Sequence, residues 1–294
     1  MSSLSFKEIN NPKISMQDFE PILGLVGYPL RHSLSPLLHA FAIAGLNKRG
    51  AYMAWPVPPE GLPEFVRLVR DMPVAGVSVT MPHKEKIIGL LDQLSPRAEK
   101  AGAVNTLSWK EDLLVGHNTD VEGFAAPLRK YFVGEKSGKI KKALLLGSGG
   151  AAKAALCALL ELGLSDIAIS SCDAESARNM ARLFQIEAVP WENRSAEACD
   201  LLVNATPLGM KGLLAGQSPW PEKIFKQIRL VYDLIYNPEQ TKLIVEAQKA
   251  GLKTISGLEM FLHQAQAQFR LWTGYDFDLN RAAKLLKTFL AHSD

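Results

Sequence analysis

Ala143-Leu144-Leu145-Leu146-Gly147-Ser148-Gly149-Gly150-Ala151-Ala152 decides how this chain folds. An apolar run of the kind found in strands buried on both faces passes into a glycine-rich turn, and the alanine-rich stretch behind it continues as a helix. This is GxGxxA in the strand, turn and helix setting that gives the pattern its meaning. Gly147 permits the tight turn, Gly149 lets backbone approach a pyrophosphate, and Ala152 is small enough for helix and strand to pack closely. The helix's first turn offers unpaired N–H groups to phosphate. The turn therefore predicts a dinucleotide ligand, touched at Gly147, Ser148, Gly149, Gly150 and Ala151.

Downstream, Ile167–Ser171, Ala188-Val189, Leu201–Asn204, Leu230–Leu234 and Lys253–Ile255 supply further strands, most of them separated by helical or loop stretches. That is the pattern of a doubly wound parallel sheet. The choice of cofactor belongs after the first of these strands, at Ser171-Cys172-Asp173. An acid there accepts from a ribose 2′-OH and repels a 2′-phosphate, so Asp173 leans to NAD; Arg178 and Arg182 on the next helix are placed to reach a phosphate. Asp173 reads equally as the N-cap of a helix over 174–184.

Upstream, the chain alternates strand and helix: Ile22–Val26, then Pro36–Leu46, Ala51–Val57, Leu62–Val69, Ala75–Val79 and Pro82–Leu90. Val104–Trp109 and Leu113–Val115, around the charged turn Lys110-Glu111-Asp112, break the rhythm as a hairpin. A helix follows from Asp120, and the polar stretch 134–139 is a loop before the glycine-turn strand. Two helices, Gly257–Trp272 and Leu279–Ala291, close the chain. The fold class is thus α/β, with an N-terminal α/β substrate domain and a Rossmann-type doubly wound cofactor domain. The domains are expected over 1–122 and 123–259, with the closing helices of 260–294 packing back onto the first.

Length and composition agree. A chain of 294 residues, nearly half hydrophobic and about a fifth charged, suits two ordinary globular domains. The net charge of +3 is spread among acids, which gives nucleic acid no basic tract to meet. Residues 1–20 hold no long apolar run, so neither a signal peptide nor a membrane anchor is expected, and the cytoplasm is the expected location. Cys157, Cys172 and Cys199 are too far apart for a disulfide framework or a CxxC site. The six histidines (His32, His39, His83, His117, His263 and His292) show no metal-ligand spacing, so no metal is expected. The assembly reads as monomer or homodimer.

Polar residues at strand ends mark the substrate side. Ser33 and Ser35 lie where a helix begins, a position that favours a carboxylate, although Ser35 also reads as a plain N-cap. Lys84 falls near the carboxyl end of a strand, where open α/β sheets bind ligands; in isolation it also reads as a solvated lysine. Asn118-Thr119-Asp120 reads alone as a capping cluster.

In order along the chain, several segments resemble the shikimate dehydrogenase family. They are His32-Ser33-Leu34-Ser35-Pro36, Val79-Thr80-Met81-Pro82-His83-Lys84, Gly102-Ala103-Val104-Asn105-Thr106 and Gly116-His117-Asn118-Thr119-Asp120. Beyond the glycine turn they continue with Asn204-Ala205-Thr206-Pro207-Leu208-Gly209-Met210, Asp233-Leu234-Ile235-Tyr236-Asn237-Pro238 and Gly257-Leu258-Glu259-Met260 with Gln264. The resemblance implies a two-domain fold with its active site in the cleft. It also implies reversible, NADP- or NAD-dependent reduction of 3-dehydroshikimate to shikimate, in aromatic amino acid (chorismate) biosynthesis.

Position by position, the resemblance implies that Ser33 and Ser35 hold the substrate carboxylate and that Thr80, Asn105, Asp120 and Gln264 contact hydroxyls. Lys84 with Asp120 handles the proton. Ala205, Thr206, Met210, Ile235, Gly257 and Met260 line the nicotinamide end, and Tyr236 sits between the two ligands. A lysine ammonium suits the chemistry, since hydride delivery to a ketone makes an alkoxide that must gain a proton. A protein that only senses nucleotide has little use for such a pair.

Three departures stand out. Ser78 replaces the asparagine of the family's Asn-Val-Thr, which exchanges an amide contact to a substrate hydroxyl for a hydroxyl or water-mediated one. Val121 stands where glycine commonly follows Asn-Thr-Asp. Ser171-Cys172 replaces the Asn-Arg of NADP-using members. Ser78 and the missing arginine point to the other reading, a quinate/shikimate or aminoshikimate dehydrogenase preferring NAD.

Overall fold

The computed structural model describes residues 22–31, 33–46, 49–132, 140–221, 225 and 227–292. Residues 1–20, His32 and the loop expected at 134–139 lie outside these. Contacts divide the chain into two compact units. One comprises Met1–Glu99, Ala103–His117 and Gln268–Asp278, the other Lys100–Gly102, Asn118–Ala267 and Leu279–Asp294.

The first unit is built on β1 (Ile22–Gly27), α1 (Ser35–Ala44), β2 (Ala51–Pro56), α2 (Leu62–Asp71) and β3 (Val74–Val79). After β4 (Gln93–Leu94) and α3 (Pro96–Ala101) comes the hairpin of β5 (Thr106–Lys110) and β6 (Leu113–His117). Its six strands run in the order β2-β1-β3-β5-β6-β4. β1 pairs in parallel with β2 and β3, as helical crossovers require, and β5 then pairs antiparallel with both β3 and β6. In α2 the buried residues Leu62, Val66 and Val69 recur at helical spacing and pack with Val77, Val79 and Ile87.

One expected helix does not form. Over 82–90 only Lys86–Leu90 is helical, and it is a 3₁₀ turn. The reason is non-local, because the Lys84 carbonyl accepts from the Val104 N–H at 2.7 Å and is thereby drawn out of an α-ladder. Ile88 N–H turns back to the Glu85 carbonyl instead.

The second unit begins with α4 (Asp120–Phe132), β7 (Lys142–Leu146), α5 (Gly150–Glu161), β8 (Asp166–Ser170), α6 (Ala174–Phe184) and β9 (Glu187–Ala188). It continues with β10 (Leu201–Asn204), β11 (Leu230–Asp233), α7 (Lys242–Lys249) and β12 (Lys253–Ile255). Its sheet is parallel throughout in the order β12-β11-β10-β7-β8-β9. Ala143 and Leu145 of β7 enter one core with Ile167, Ile169, Leu201 and Val203, while Leu144 and Leu146 enter another with Ala168, Leu202 and Val231. Alternate residues of each strand thus feed cores on both faces, which is why these strands read as unbroken apolar runs.

α8 (Gly257–Thr273) is divided between the units at Ala267/Gln268, and α9 (Leu279–Ala291) is counted with the second, where Lys287 pairs with Glu239 at 2.7 Å. The division by motif at 122 differs from this division by contact because α4 runs unbroken from Asp120, and the one at 259 because α8 runs unbroken across it. Val121, which replaces the customary glycine, is fully buried in the core of the second unit. Among the described residues, no helix is long and apolar enough to cross a membrane.

Candidate active site

In the first unit, the carboxyl ends of β1 and β3 come together with the start of β5. Thr80 N–H donates to the Val26 carbonyl at 2.9 Å, and Tyr28 N–H to the Met81 carbonyl at 3.0 Å. The approach is so close that a Cβ on Gly27 would stand 2.3 Å from Thr80 Cγ2. Val79 N–H donates to the Asn105 carbonyl at 2.8 Å, and Asn105 N–H to the His117 carbonyl at 2.9 Å. These ladders bring Thr80 and Asn105 to one edge of the sheet, where open α/β sheets bind ligands, while Ser33 and Ser35 follow β1 and Lys84 follows β3 along the chain.

Two local readings change. Ser35 is the first residue of α1 rather than its N-cap; Leu34 occupies that position without a side-chain cap, and the Ser35 N–H donates to Ser33 Oγ at 3.3 Å. Ser78 is no candidate for substrate contact, since it is buried with its hydroxyl accepting from Tyr52 at 2.7 Å and donating to Gln268 Oε1 at 2.9 Å. β3 alternates, so Ser78 turns into the fold on the side opposite to its neighbours Val77 and Val79.

Behind this edge lies a buried polar network that sequence reasoning missed. His39 stacks on Tyr52, its ring centroid 4.5 Å away, and its Nε2 lies 3.3 Å from Gln268 Oε1. Burial drives His39 down to about 3, only partly opposed by Gln268, and drives the Tyr52 phenol up against weaker bonds to Ser78 and Ser35. Gln268 Nε2 donates to the Asn105 carbonyl and to Thr106 Oγ1, each at 3.0 Å. A glutamine one helical turn beyond Gln264 carries no local signal of such a role.

In the second unit, the glycine turn lies at the switch point of the sheet. From β7 the chain winds outward through β8 to β9, then returns to β10 on β7's other side, and the crevice of such sheets opens between those two strands. Gly147 has φ +104°, and a Cβ there would meet the Ala205 carbonyl oxygen at 2.8 Å. The conformation and the close approach both require glycine. At Gly149 and Gly150 a Cβ would meet nothing within 4 Å, so the fold makes no demand for glycine there. The bare backbone at the N-terminus of α5, which has no side-chain cap, fits a phosphate-bearing ligand.

Along the same edge, Ser148 Oγ donates to Ser171 Oγ at 3.1 Å, which ties the glycine turn to the end of β8. Asp173 is the N-cap of α6. Its two oxygens accept from Ser176 N–H at 3.0 Å and Ser176 Oγ at 2.6 Å, and the pair holds the carboxyl below its usual range. The exposed Cys172 lies between these two residues.

The ends of β10 and β11 are cross-braced. Asn204 Nδ2 donates to Asp233 Oδ1 at 2.9 Å, Thr241 Oγ1 donates to Asp233 Oδ2 at 2.6 Å, and Ile235 N–H to Asp233 Oδ1 at 3.1 Å. Burial raises Asp233 to about 6 against those three bonds. Asn204 Oδ1 in turn holds Thr206 through its N–H at 2.9 Å and its hydroxyl at 2.7 Å. Thr206 and Ile235 are therefore fixed by Asn204 and Asp233, polar residues that end apolar strands inside recognised segments and so could have been found. Gly257 is needed for contact, since a Cβ there would fall 2.2 Å from the Leu234 carbonyl oxygen.

α4 and α8 cross backbone to backbone at Gly123, where a Cβ would stand 2.6 Å from Gln264 Cβ. Asp120 is buried one turn earlier on α4, with Asn118 Oδ1 accepting from Val121 N–H at 3.3 Å. Gln264 is buried too and donates to the Phe261 carbonyl at 3.0 Å. Tyr236 stacks on Phe261 with ring centroids 4.9 Å apart, and Met210 is exposed while Met260 is buried. Among the described residues, no cluster of three His, Cys, Asp or Glu is placed to hold a metal.

Comparison with known proteins identifies the family. Residues 25–107 match the shikimate dehydrogenase substrate binding domain, and residues 257–282 the shikimate 5'-dehydrogenase C-terminal domain. The chain is 44% identical to the shikimate dehydrogenase (NADP(+)) of Maridesulfovibrio salexigens, over 91% of this chain and 96% of that one. It is likewise 44% identical to the enzyme of the same name from Oleidesulfovibrio alaskensis, over 95% and 98%. The crystal structure of shikimate 5-dehydrogenase from Thermus thermophilus, in complex with NADP(H) and shikimate, is 37% identical. It covers 91% of this chain and 99% of its own, with a TM-score of 0.82.

Proposed function

The chain belongs to the shikimate dehydrogenase family, and we propose that it interconverts 3-dehydroshikimate and shikimate with NADP. The observation that carries this is 44% identity along nearly the whole chain to enzymes named for that reaction and cofactor. The meeting of Thr80 and Asn105 at the carboxyl end of β3 supports it.

Bound NADPH supplies the hydride that reduces the ketone carbon. Lys84 gives a proton to the oxygen as charge develops there, and takes it back in the reverse direction as a neutral amine. Asp120 shares the proton-handling role. Ser33 and Ser35 donate to the substrate carboxylate, and Thr80, Asn105 and Gln264 bind hydroxyls. Gly147, Ser148, Gly149, Gly150 and Ala151 receive the pyrophosphate, while Ala205, Thr206, Met210, Ile235, Tyr236, Gly257 and Met260 bound the nicotinamide end.

The choice of NADP rests on the names of the relatives. It is supported by the engagement of both Asp173 oxygens with Ser176 and by the charge of Arg178, which is felt at Asp173. The setting we propose is cytoplasmic, supported by three unpaired thiols, of which burial pushes Cys157 up to about 11 and Cys199 up to about 12.

Purified protein assayed with shikimate and with quinate, each with NADP and NAD, tests the proposal. Fastest turnover is expected with shikimate and NADP; no shikimate-dependent formation of reduced cofactor would overturn it. Lys84→Ala is expected to lower kcat about a hundredfold or more, the scale of losing a general acid. Unchanged turnover would remove Lys84 from the mechanism.

A further inference from the structure

We propose that Gln268 is a positioning residue that fixes which end of the Asn105 amide faces the substrate, and so makes Asn105 a hydrogen-bond donor to a substrate oxygen. This rests on the proposed function, in which Asn105 binds a hydroxyl.

The polarity starts from a group that can act in only one way. A backbone carbonyl only accepts, so the Gln268 atom 3.0 Å from the Asn105 carbonyl must be Nε2. The same nitrogen lies 3.0 Å from Thr106 Oγ1, which therefore accepts from it. Thr106 Oγ1 in turn donates to Asn105 Oδ1 at 2.8 Å. The Asn105 oxygen is thus held by Thr106, and its Nδ2 is the end that meets a ligand as donor.

The far end of Gln268 locks the arrangement. Its Oε1 accepts from Ser78 Oγ at 2.9 Å and faces His39 Nε2 at 3.3 Å, and Ser78 itself accepts from Tyr52 at 2.7 Å. Turning the Gln268 amide over would set an oxygen against the Asn105 carbonyl. Gln268 and Asn105 are each 2% exposed and Thr106 is fully buried, so water has little access to repair such a clash. Ser78 thereby gains a purpose. Where the family pattern carries an amide on β3, this chain carries a hydroxyl, and α8 supplies the amide.

A donor at Asn105 suits a substrate oxygen and repels an ammonium, which can only donate; an amino analogue with its nitrogen at that position would be rejected.

Steady-state kinetics on Thr106→Val, Thr106→Ser, Gln268→Met, Asn105→Ala and the Thr106→Val/Asn105→Ala pair test this, with thermal unfolding followed in parallel. Thr106→Val is expected to raise KM for shikimate about fivefold, the scale of one hydrogen bond, and to leave kcat within about twofold. Thr106→Ser restores KM, Gln268→Met raises it, and Thr106→Val adds nothing once Asn105 is alanine. Effects of Thr106→Val and Asn105→Ala that multiply would overturn the proposal. So would Thr106→Val and Gln268→Met variants that lose thermal stability with KM unmoved. Wild-type protein inactive toward shikimate sinks the proposed function, and this inference with it, a result read before any variant is made.

Discussion

Gly147 and Gly149 are two residues apart and answer to different masters. At Gly147 the fold itself demands glycine, through φ +104° and the Ala205 carbonyl 2.8 Å from where a Cβ would sit. At Gly149 nothing of the protein lies within 4 Å of an added Cβ, so any demand comes from what binds there. Gly147→Ala should therefore destabilise the protein by about 1–3 kcal/mol, the cost of a strained backbone position. Gly149→Ala should leave stability unchanged or raise it by about 0.5 kcal/mol, through a less flexible unfolded chain, yet weaken NADP binding. Calorimetric unfolding with and without NADP separates the two. If Gly149→Ala binds NADP as tightly as wild type, the turn does not work by close backbone approach. The GxGxxA pattern shows both glycines as equals, because spacing records that glycine is present without recording which neighbour needs it.

Elements were legible where local pattern and burial agree. β7 and β10 are apolar runs because both faces of their sheet are covered, and α2 shows its buried stripe directly. The stretch 82–90 misled because its fate hangs on Val104, whose N–H takes the Lys84 carbonyl. β4, only Gln93–Leu94, is too short to show any period. The bracing of β10, β11 and α7 through Asp233 is likewise a matter of strand order. Thr241 is the hinge of that brace, since its hydroxyl caps α7 by accepting from Ile244 N–H at 3.2 Å and donates to Asp233 at 2.6 Å. Thr241→Val removes a cap and a buried bond to a carboxyl at one stroke, and about 2–4 kcal/mol should be lost. Urea unfolding with an unchanged m-value measures it, and a loss under about 0.5 kcal/mol would show that the brace carries no weight.

For the whole molecule, the residues proposed to face the ligands lie in segments the sequence shows, and the groups packed behind them do not. Ser33, Lys84 and Asn105 lie in recognisable segments, whereas His39, Tyr52 and Gln268 meet only after folding. Their burial leaves a mark on stability as a function of pH. His39 is held down to about 3 from 6.5 by burial, so its contribution is fully present above 6.5 and is lost as pH falls toward 3. Asp233 is raised to about 6 from 3.8, again by burial, so its contribution is fully present below 3.8 and is lost as pH rises through 6. In the window between 3.8 and 6 the two slopes oppose, each at most about 1.4 kcal/mol per pH unit. His117 and His263, both lowered by burial, side with His39, while Glu259, raised by burial, sides with Asp233. Removing one member of each camp exposes the other. Asp233→Asn should lose stability more steeply than wild type on acidification through that window, whatever its starting stability. His39→Phe, which keeps a ring against Tyr52, should lose it less steeply. Urea unfolding at half-unit steps of pH gives the three slopes. Parallel lines would mean that neither group keeps its shifted protonation in the native protein, and the buried networks behind both sheet edges would then have to be wetter than their hydrogen bonds describe.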